Sequence, residues 1–380
     1  MPYFAMKSWI EMKIWGVGML ILACWGCSHS SHRVEELFYE EVNIPVDAPY
    51  LTQYIIQANL WQKGDSLFLA GFNYFTYSID IINITEKKAV KYIPLEKQGP
   101  DPVSYVKALW VEDSLMLIKD FISFLTLDLH GRILSQKPDA ELDADLQDDT
   151  YRMSGEGVHV GNFRYFYYNP DTRTFFYQLF PKSRTWGKYA IGVKFNLDEE
   201  RYEALPIYYP EDFNYDFIGS TLGAPQFCQH DSLIVFNYAY SPDVYSYNEE
   251  TKELNTYRPR SRLGSCATSL AGYMNTEIRN RSKYELDCAR YRHLFYHKGA
   301  KVYSRVHSDE KREGIRKMYL MILDGNFNPI VEYPLPECFA EDFFVSKDYI
   351  VFQIKPDKAN PEEILRLAVV KLATVFKNGF

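Results

Sequence analysis

Two histidines, His293 and His297, stand four residues apart. On a helix that interval turns both rings to one side and offers zinc two ligands, as in the H-E-x-x-H arrangement. Here no glutamate follows His293, and the intervening Leu294-Phe295-Tyr296 favours an extended strand, on which both rings would also share a face. A third ligand would have to come from elsewhere, so the pair alone specifies no metal. The acidic run Asp139, Glu141, Asp143, Asp145, Asp148 and Asp149 could hold calcium only with a glycine at the sixth position and a bidentate glutamate at the twelfth of an EF-hand loop, and no register supplies them. It reads as a solvated loop. Ser154-Gly155-Glu156-Gly157 lacks the third glycine, the lysine and the strand–helix setting of a phosphate cradle. A nucleophile elbow is absent too. No cofactor and no metal are expected. Paired carboxylates for glycoside hydrolysis can be distant in sequence, so their absence as a motif proves little.

Cys24-Trp25-Gly26-Cys27 has the spacing of a thioredoxin-type redox pair, but that chemistry needs a strand–helix setting inside a βαβ unit. Here the four residues close an uncharged stretch, residues 14–27, that follows Lys7 and Lys13. This is the charged n-region and apolar h-region of an export signal. It is too short to span a bilayer, which takes about 20 apolar residues. Ile21-Leu22-Ala23-Cys24 resembles the bacterial lipobox, in which an aliphatic and a small residue precede a cysteine whose thiol is diacylated. The resemblance implies a signal peptide over residues 1–23, a lipidated Cys24 and a tether over residues 24–43; Cys27, preceded by Gly26, is the alternative acceptor. The implied address is the bacterial cell envelope, held at the outer membrane through the lipid, on its periplasmic or surface face. The other cysteines, Cys228, Cys266, Cys288 and Cys338, allow three disulfide pairings or none, because a core of this size needs no staple.

The elements that would position any site are strands. Of 380 residues, 31 are Tyr and 25 Phe, types that favour pleated, packed surfaces. A hydrophobic fraction of 47% excludes a disordered chain, and a net charge of −8 argues against a nucleic-acid partner, which would require a basic face. Residues 65–70 (DSLFLA) precede two more strand-like runs at 77–83 and 90–95. The figure recurs from Asp113 through 124–128 and 132–134, from Asp231 through 244–248, and at Asp348. The aspartates lie 48, 118 and 117 residues apart, the last two each near twice 59. A period of about 50–60 residues with three or four strands per unit describes a β-propeller blade.

The expected fold is therefore all-β, a single propeller over residues 44–380 with six blades, seven being the alternative. Both faces of each blade would be buried, and most aromatics, including those at 163–168 and 175–177, would pack between blades. Residues 360–363 (NPEE) look like a helix start, with Ile364, Leu365, Ala368, Val369 and Leu372 on one helical face. The last blade nevertheless needs another strand after 350–354, so a strand over about 365–372 is expected.

Residues 91–100 (KYIPLEKQGP), following the Asp65 unit, carry a hydrophobic strand ending in Gly-Pro. With residues 294–305 (LFYHKGAKVYSR), a Tyr- and Arg-bearing strand pair, this resembles an uncharacterised family of bacterial lipoproteins that carry a domain of unknown function with a six-bladed, TolB-like β-propeller. His297-Lys298-Gly299 departs from the usual Asp-Pro-type turn, and Gln98 stands where an acid is common. The likeness implies a fold and a lipoprotein address; no activity comes with it.

The functional expectation is a non-catalytic binding or scaffold module for a protein, peptide or glycan. The alternative is a carbohydrate-active hydrolase or lyase, with carboxylates and Arg305 or His297 converging at the propeller mouth. Both residues are the candidate binding positions on this chain.

Overall fold

The aspartate-led runs fold as the second strands of repeated four-stranded meanders. The computed structural model describes residues 33–46, 58–99, 102–103, 106–112, 114–120, 123–138, 151–153, 166–181, 190–209, 222–264, 284, 287–356 and 364–373. The lipobox, the acidic run 139–149, the glycine pair at 154–157 and Cys266 lie outside them. Blade 1 comprises Ala58–Lys63, Ser66–Asn73, Ser78–Asn83 and Lys88–Pro94, paired in that order. Blade 2 repeats it with Ala108–Val111, Leu115–Lys119, Ser123–Asp128 and Ile133–Pro138. Blade 4 uses Pro225–His230, Leu233–Tyr238, Val244–Asn248 and Leu254–Tyr257. Blade 5 uses Arg290–His297, Val302–Ser308, Met318–Leu323 and Pro329–Pro334. In blade 3 the first position is shared by two short strands, Tyr151–Met153 and Tyr167–Asn169, both paired with Thr174–Pro181; Gly192–Asn196 and Arg201–Leu205 complete it.

Blade 6 is assembled from both ends of the sequence. Phe339–Val345, Tyr349–Ile354 and Ile364–Lys371 form three strands, and Glu40–Pro45 adds the fourth, antiparallel to Ile364–Lys371 with Ile44 opposite Leu365 and Val42 opposite Leu367. This is six blades, closed by a strand that begins at Glu40. Residues 364–371 are a strand, not a helix. The helical spacing of their apolar residues reflects burial on both faces, between two neighbouring strands, rather than an amphipathic stripe.

Turn chemistry marks the repeat. In blades 1 and 4 the first hairpin closes through two residues, Gly64-Asp65 and Asp231-Ser232, where Gly64 (φ 59°) and Asp231 (φ 51°) adopt the left-handed region. Glycine and aspartate are among the few residues that enter it cheaply. First strands of neighbouring blades touch one another (blade 6 with 1, 1 with 2, 3 with 4, 4 with 5), which places them nearest the axis.

The core is a set of seams rather than one interior. Among the described residues six apolar clusters occur, one between each pair of neighbouring blades. Ser78–Asn83, Val302–Ser308 and Met318–Leu323 are buried at every position. Aromatics fill the seams as expected: between blades 2 and 3, Phe124 packs on Phe195 (ring centroids 5.4 Å) and on Phe175 (4.9 Å). The seam between blades 4 and 5 mixes its apolar cluster with buried ionic groups. There His307 bonds Glu332 at 2.9 Å with both side chains fully buried, and the Arg305 guanidinium lies 4.3 Å from the Tyr291 ring. Within blade 4, the largely exposed Arg258 grips Asp243 with two bonds of 2.6 and 2.7 Å.

Cys228, Cys288 and Cys338 are free thiols. Burial pushes the Cys228 thiol up to about 12, so it holds essentially no thiolate at neutral pH. Iodoacetamide applied to the native protein at pH 8 is expected to alkylate exposed Cys338 and spare Cys228 and Cys288, with all three labelled after denaturation. Peptide mapping of the alkylated sites checks this; native labelling of Cys228 would contradict its burial beside Val235 on the first strands of blade 4.

Candidate functional site

An up-and-down meander sorts its connections by face. First-to-second and third-to-fourth hairpins emerge at one end of the ring, while second-to-third turns and blade-to-blade connections emerge at the other. The consecutive strands separated by the most residues are joined between blades, after Leu205 and after Tyr257, so the described ends of these connections lie on one face and the two-residue hairpins Gly64-Asp65 and Asp231-Ser232 on the other. Long connections supported on a rigid scaffold are where propeller-like folds hold their ligands.

At the long-connection face, close to the axis, blades 5 and 6 bring together four ionised side chains. Arg290 and Arg292 are two apart on the first strand of blade 5, so a pleated backbone projects them to the same side. A register irregularity between Tyr291 and Leu294 includes Arg292. Both guanidiniums donate to the Oε2 of Glu341 on the first strand of blade 6, Arg290 at 2.5 Å. Arg316, from the second-to-third turn of blade 5, donates Nε to Oε1 of the same carboxylate at 3.0 Å. Its Nη1 is spent on the carbonyls of Cys288 (2.7 Å) and Asp309 (3.1 Å) and on Ser308 Oγ (3.1 Å), tying the turn to the base of the strand.

Three guanidiniums thus converge on one carboxylate. The arginine side chains are almost wholly buried, whereas Glu341 keeps 30% of its side-chain surface exposed. Burial alone would raise the Glu341 carboxyl; attraction from Arg292, Arg290 and Arg316 more than reverses that and holds it at about 2. Arg316 is pushed down by burial and by repulsion from Arg290. The surface presented to solvent is therefore a permanently ionised acceptor in a cationic frame. It suits recognition of donor or charged groups, and it is not a group poised to exchange a proton near neutral pH.

His293, next along the strand, has its Nε2 on the Phe227 carbonyl and its ring 4.6 Å from Phe295. His297, at the far end, is fully buried with Nε2 2.7 Å from Ser304 Oγ; burial pulls it down to about 4 and keeps it neutral. The two rings that stand at a zinc-type spacing are thus separately engaged. No group of three or more His, Cys, Asp or Glu able to hold a metal occurs among the described residues. Arg305 is fully buried on the second strand of blade 5, donating Nη1 to the Pro242 carbonyl at 2.9 Å. His297 and Arg305 lie in different seams, facing blade 6 and blade 4 respectively, and the structure does not bring them together.

The same long-connection face carries a second feature, the turn joining Ser66–Asn73 to Ser78–Asn83 in blade 1. Its tip exposes Tyr74 (58%) and Phe75 (73%), whose rings lie 4.1 Å apart at an interplanar angle of 37°. Below the tip, Asn73 Oδ1 accepts the N–H groups of Phe75 (3.1 Å) and Thr76 (3.3 Å) while its Nδ2 donates to Asp80 at 3.2 Å. On the opposite, short-turn face, Lys298 of blade 5 reaches Asp171 of blade 3 at 2.8 Å across the turn of blade 4.

Sequence reasoning missed Arg290, Arg292, Arg316 and Glu341. The alternating Arg-x-Arg of the strand was the available signal.

No curated protein matches the chain. Among solved structures, a member of the DUF4221 family from Bacteroides vulgatus is similar with a TM-score of 0.64 and 16% identity, over 88% of this chain and 97% of that one. A putative exported protein from Bacteroides fragilis is similar with a TM-score of 0.55 and 10% identity, over 90% and 98%. At such identities the likeness is one of fold. Residues 35–334, which carry the closing strand and blades 1–5, match the domain of unknown function DUF4221, and the chain belongs to that family.

Proposed function

We propose that this chain is a lipid-anchored envelope propeller that works as a binding or scaffold module, engaging a protein, peptide or glycan on its long-connection face. The observation that carries the reading is the cluster of Arg290, Arg292 and Arg316 on Glu341: a pre-organised charge arrangement on that face whose carboxylate stays ionised at neutral pH. Pre-organised polar groups recognise a partner without the cost of ordering at the moment of binding. The lipobox-like Ile21-Leu22-Ala23-Cys24 supports the anchor and the outer-membrane address.

Two measurements test the two halves. Metabolic labelling with a fatty-acid analogue is expected to mark the wild type and not the Cys24→Ala/Cys27→Ala double variant; persistent labelling would remove the anchor. A photo-crosslinking amino acid placed at Tyr208 or Ile315, exposed on the long-connection face, is expected to trap envelope material in cells. The same probe at Glu86 or Glu250, in turns of the opposite face, is not. Equal trapping from both faces would overturn the assignment of the binding face.

A further inference from the structure

We infer that Tyr74 and Phe75 form a stacking platform for the ring of a neutral sugar in an oligosaccharide. The inference rests on the reading that the long-connection face binds a ligand, and it names the ligand's chemistry.

The first support is the effort spent on holding the turn. Asn73, Ser78 and Asp80 beneath it are fully buried. Asp80 accepts from Asn73 and, at 3.2 Å, from Ser78 Oγ, and Thr76 Oγ1 lies 2.8 Å from that hydroxyl. Tyr77 adopts φ 58°, a costly conformation for an aromatic residue, and is pinned from three sides. Its hydroxyl donates to the Val103 carbonyl at 2.7 Å, Phe72 meets its ring edge-on at 5.3 Å, and Lys97 lies 4.3 Å from the ring centroid. A turn fixed this firmly holds the backbone that carries the two exposed rings, which lie against one another at 4.1 Å.

The second support is size. Aromatic side chains offer roughly 150–250 Å² each, so two partly exposed rings fall well short of the roughly 800 Å² that a stable protein interface takes from each partner. A second copy of the chain or a folded protein would find too little here. One or two sugar rings fit that area, and their polarised C–H faces complement the negative faces of Tyr and Phe. The third support is the rigidity itself. A lipid phase is fluid and imposes no ring geometry, so buried hydrogen bonds fixing the turn would add nothing to membrane partition, whereas a flat, shaped ligand rewards them.

The test titrates the full chain by calorimetry and saturation-transfer NMR with cellohexaose, xylohexaose, mannohexaose and maltohexaose, and in parallel by co-sedimentation with phosphatidylcholine vesicles. At least one hexasaccharide is expected to bind with Kd below about 1 mM. Tyr74→Ala/Phe75→Ala is expected to weaken it about tenfold or more, Phe75→Leu to weaken it as well, and Phe75→Trp to preserve it. Both side chains are exposed, so thermal melting of these variants should be unchanged. Asn73→Ala, which keeps the rings and frees the turn, should also weaken binding. No binding by any of the four sugars, binding indifferent to the double variant, or vesicle binding that depends on these two rings would each overturn the inference. If crosslinking from Tyr208 and Ile315 persists while the sugars fail, the platform falls and the binding-face reading stands; if crosslinking also fails, both fall.

Discussion

Ile44→Asp is expected to open the ring. Ile44 is fully buried in the strand Glu40–Pro45, where it faces Leu365 and joins the apolar seam between blades 6 and 1 with Leu69, Ile82 and Val351. A carboxylate there has no partner in an apolar seam, and such substitutions belong to the class costing about 4 kcal/mol or more. The consequence exceeds the local loss because this strand is what joins the two ends of the sequence. Without it, Ile364–Lys371 becomes an edge with unpaired backbone groups, the kind of edge that templates aggregation. Thermal melting and limited proteolysis check the expectation: a lower, broader transition and early cleavage within blade 6. Glu41→Ala is the control, since its pair with Arg366 (2.8 Å) is solvent-exposed, and exposed pairs contribute about 0–1 kcal/mol. Truncation at residue 340 should do still more, removing the rest of blade 6 and leaving Glu40–Pro45 nothing to pair with. A soluble truncated chain with a cooperative melt would argue against closure through this blade.

The second large effect belongs to Glu341. Glu341→Gln leaves Arg290, Arg292 and Arg316 without the carboxylate on which they converge, and removing one partner of a buried ionic cluster costs about 3–5 kcal/mol. The pH dependence follows in sign. The folded carboxyl titrates at about 2 against an ordinary value of 4.5, so its contribution is fully present above pH 4.5 and is lost as pH falls towards 2. A shift of that size corresponds to on the order of 3 kcal/mol. Melting curves of wild type and Glu341→Gln should therefore differ most near neutral pH and converge as the pH is lowered below 4.5. Parallel curves across that range would mean that Glu341 is not held ionised by the arginines. If the cluster is also the recognition element, crosslinking from Ile315 should weaken in Glu341→Gln at temperatures where the variant is still folded.

The repeat was legible because turn chemistry is local. Gly64-Asp65 and Asp231-Ser232 close two-residue hairpins that only a few residue types tolerate, and the strands beside them declare themselves by β-favouring side chains. The same locality explains why the aromatic excess pointed correctly to seams such as that of Phe124, Phe175 and Phe195. Tyr74 and Phe75 were not separable from that majority by type. They are exposed because Asn73 turns the backbone there, and its partner Asp80 lies on the next strand.

The site was illegible for a different reason. In a half-buried sheet, alternation tells which side faces the core; in a propeller both sides are buried, so Arg290 and Arg292 could be seen to share a face without any sign of which neighbour that face meets. Arg316 and Glu341 carry no local signal at all, being joined to them only by the turn of blade 5 and the adjacency of blade 6. His297 and Arg305, singled out for their chemistry, sit on strands whose opposite faces feed different seams.

Strand content, the approximate period and the lipobox-like terminus are thus legible in the sequence alone, because each depends on residue type within a few positions, whereas the choice of six blades over seven came with the sheet pairing. Tertiary structure alone decided that residues 40–45 close the blade formed by 339–371, that three arginines meet Glu341, and that one rigid turn leaves two aromatic rings in solvent. Each of these depends on which strand lies beside which, and in a closed ring that adjacency is settled only when the last blade meets the first.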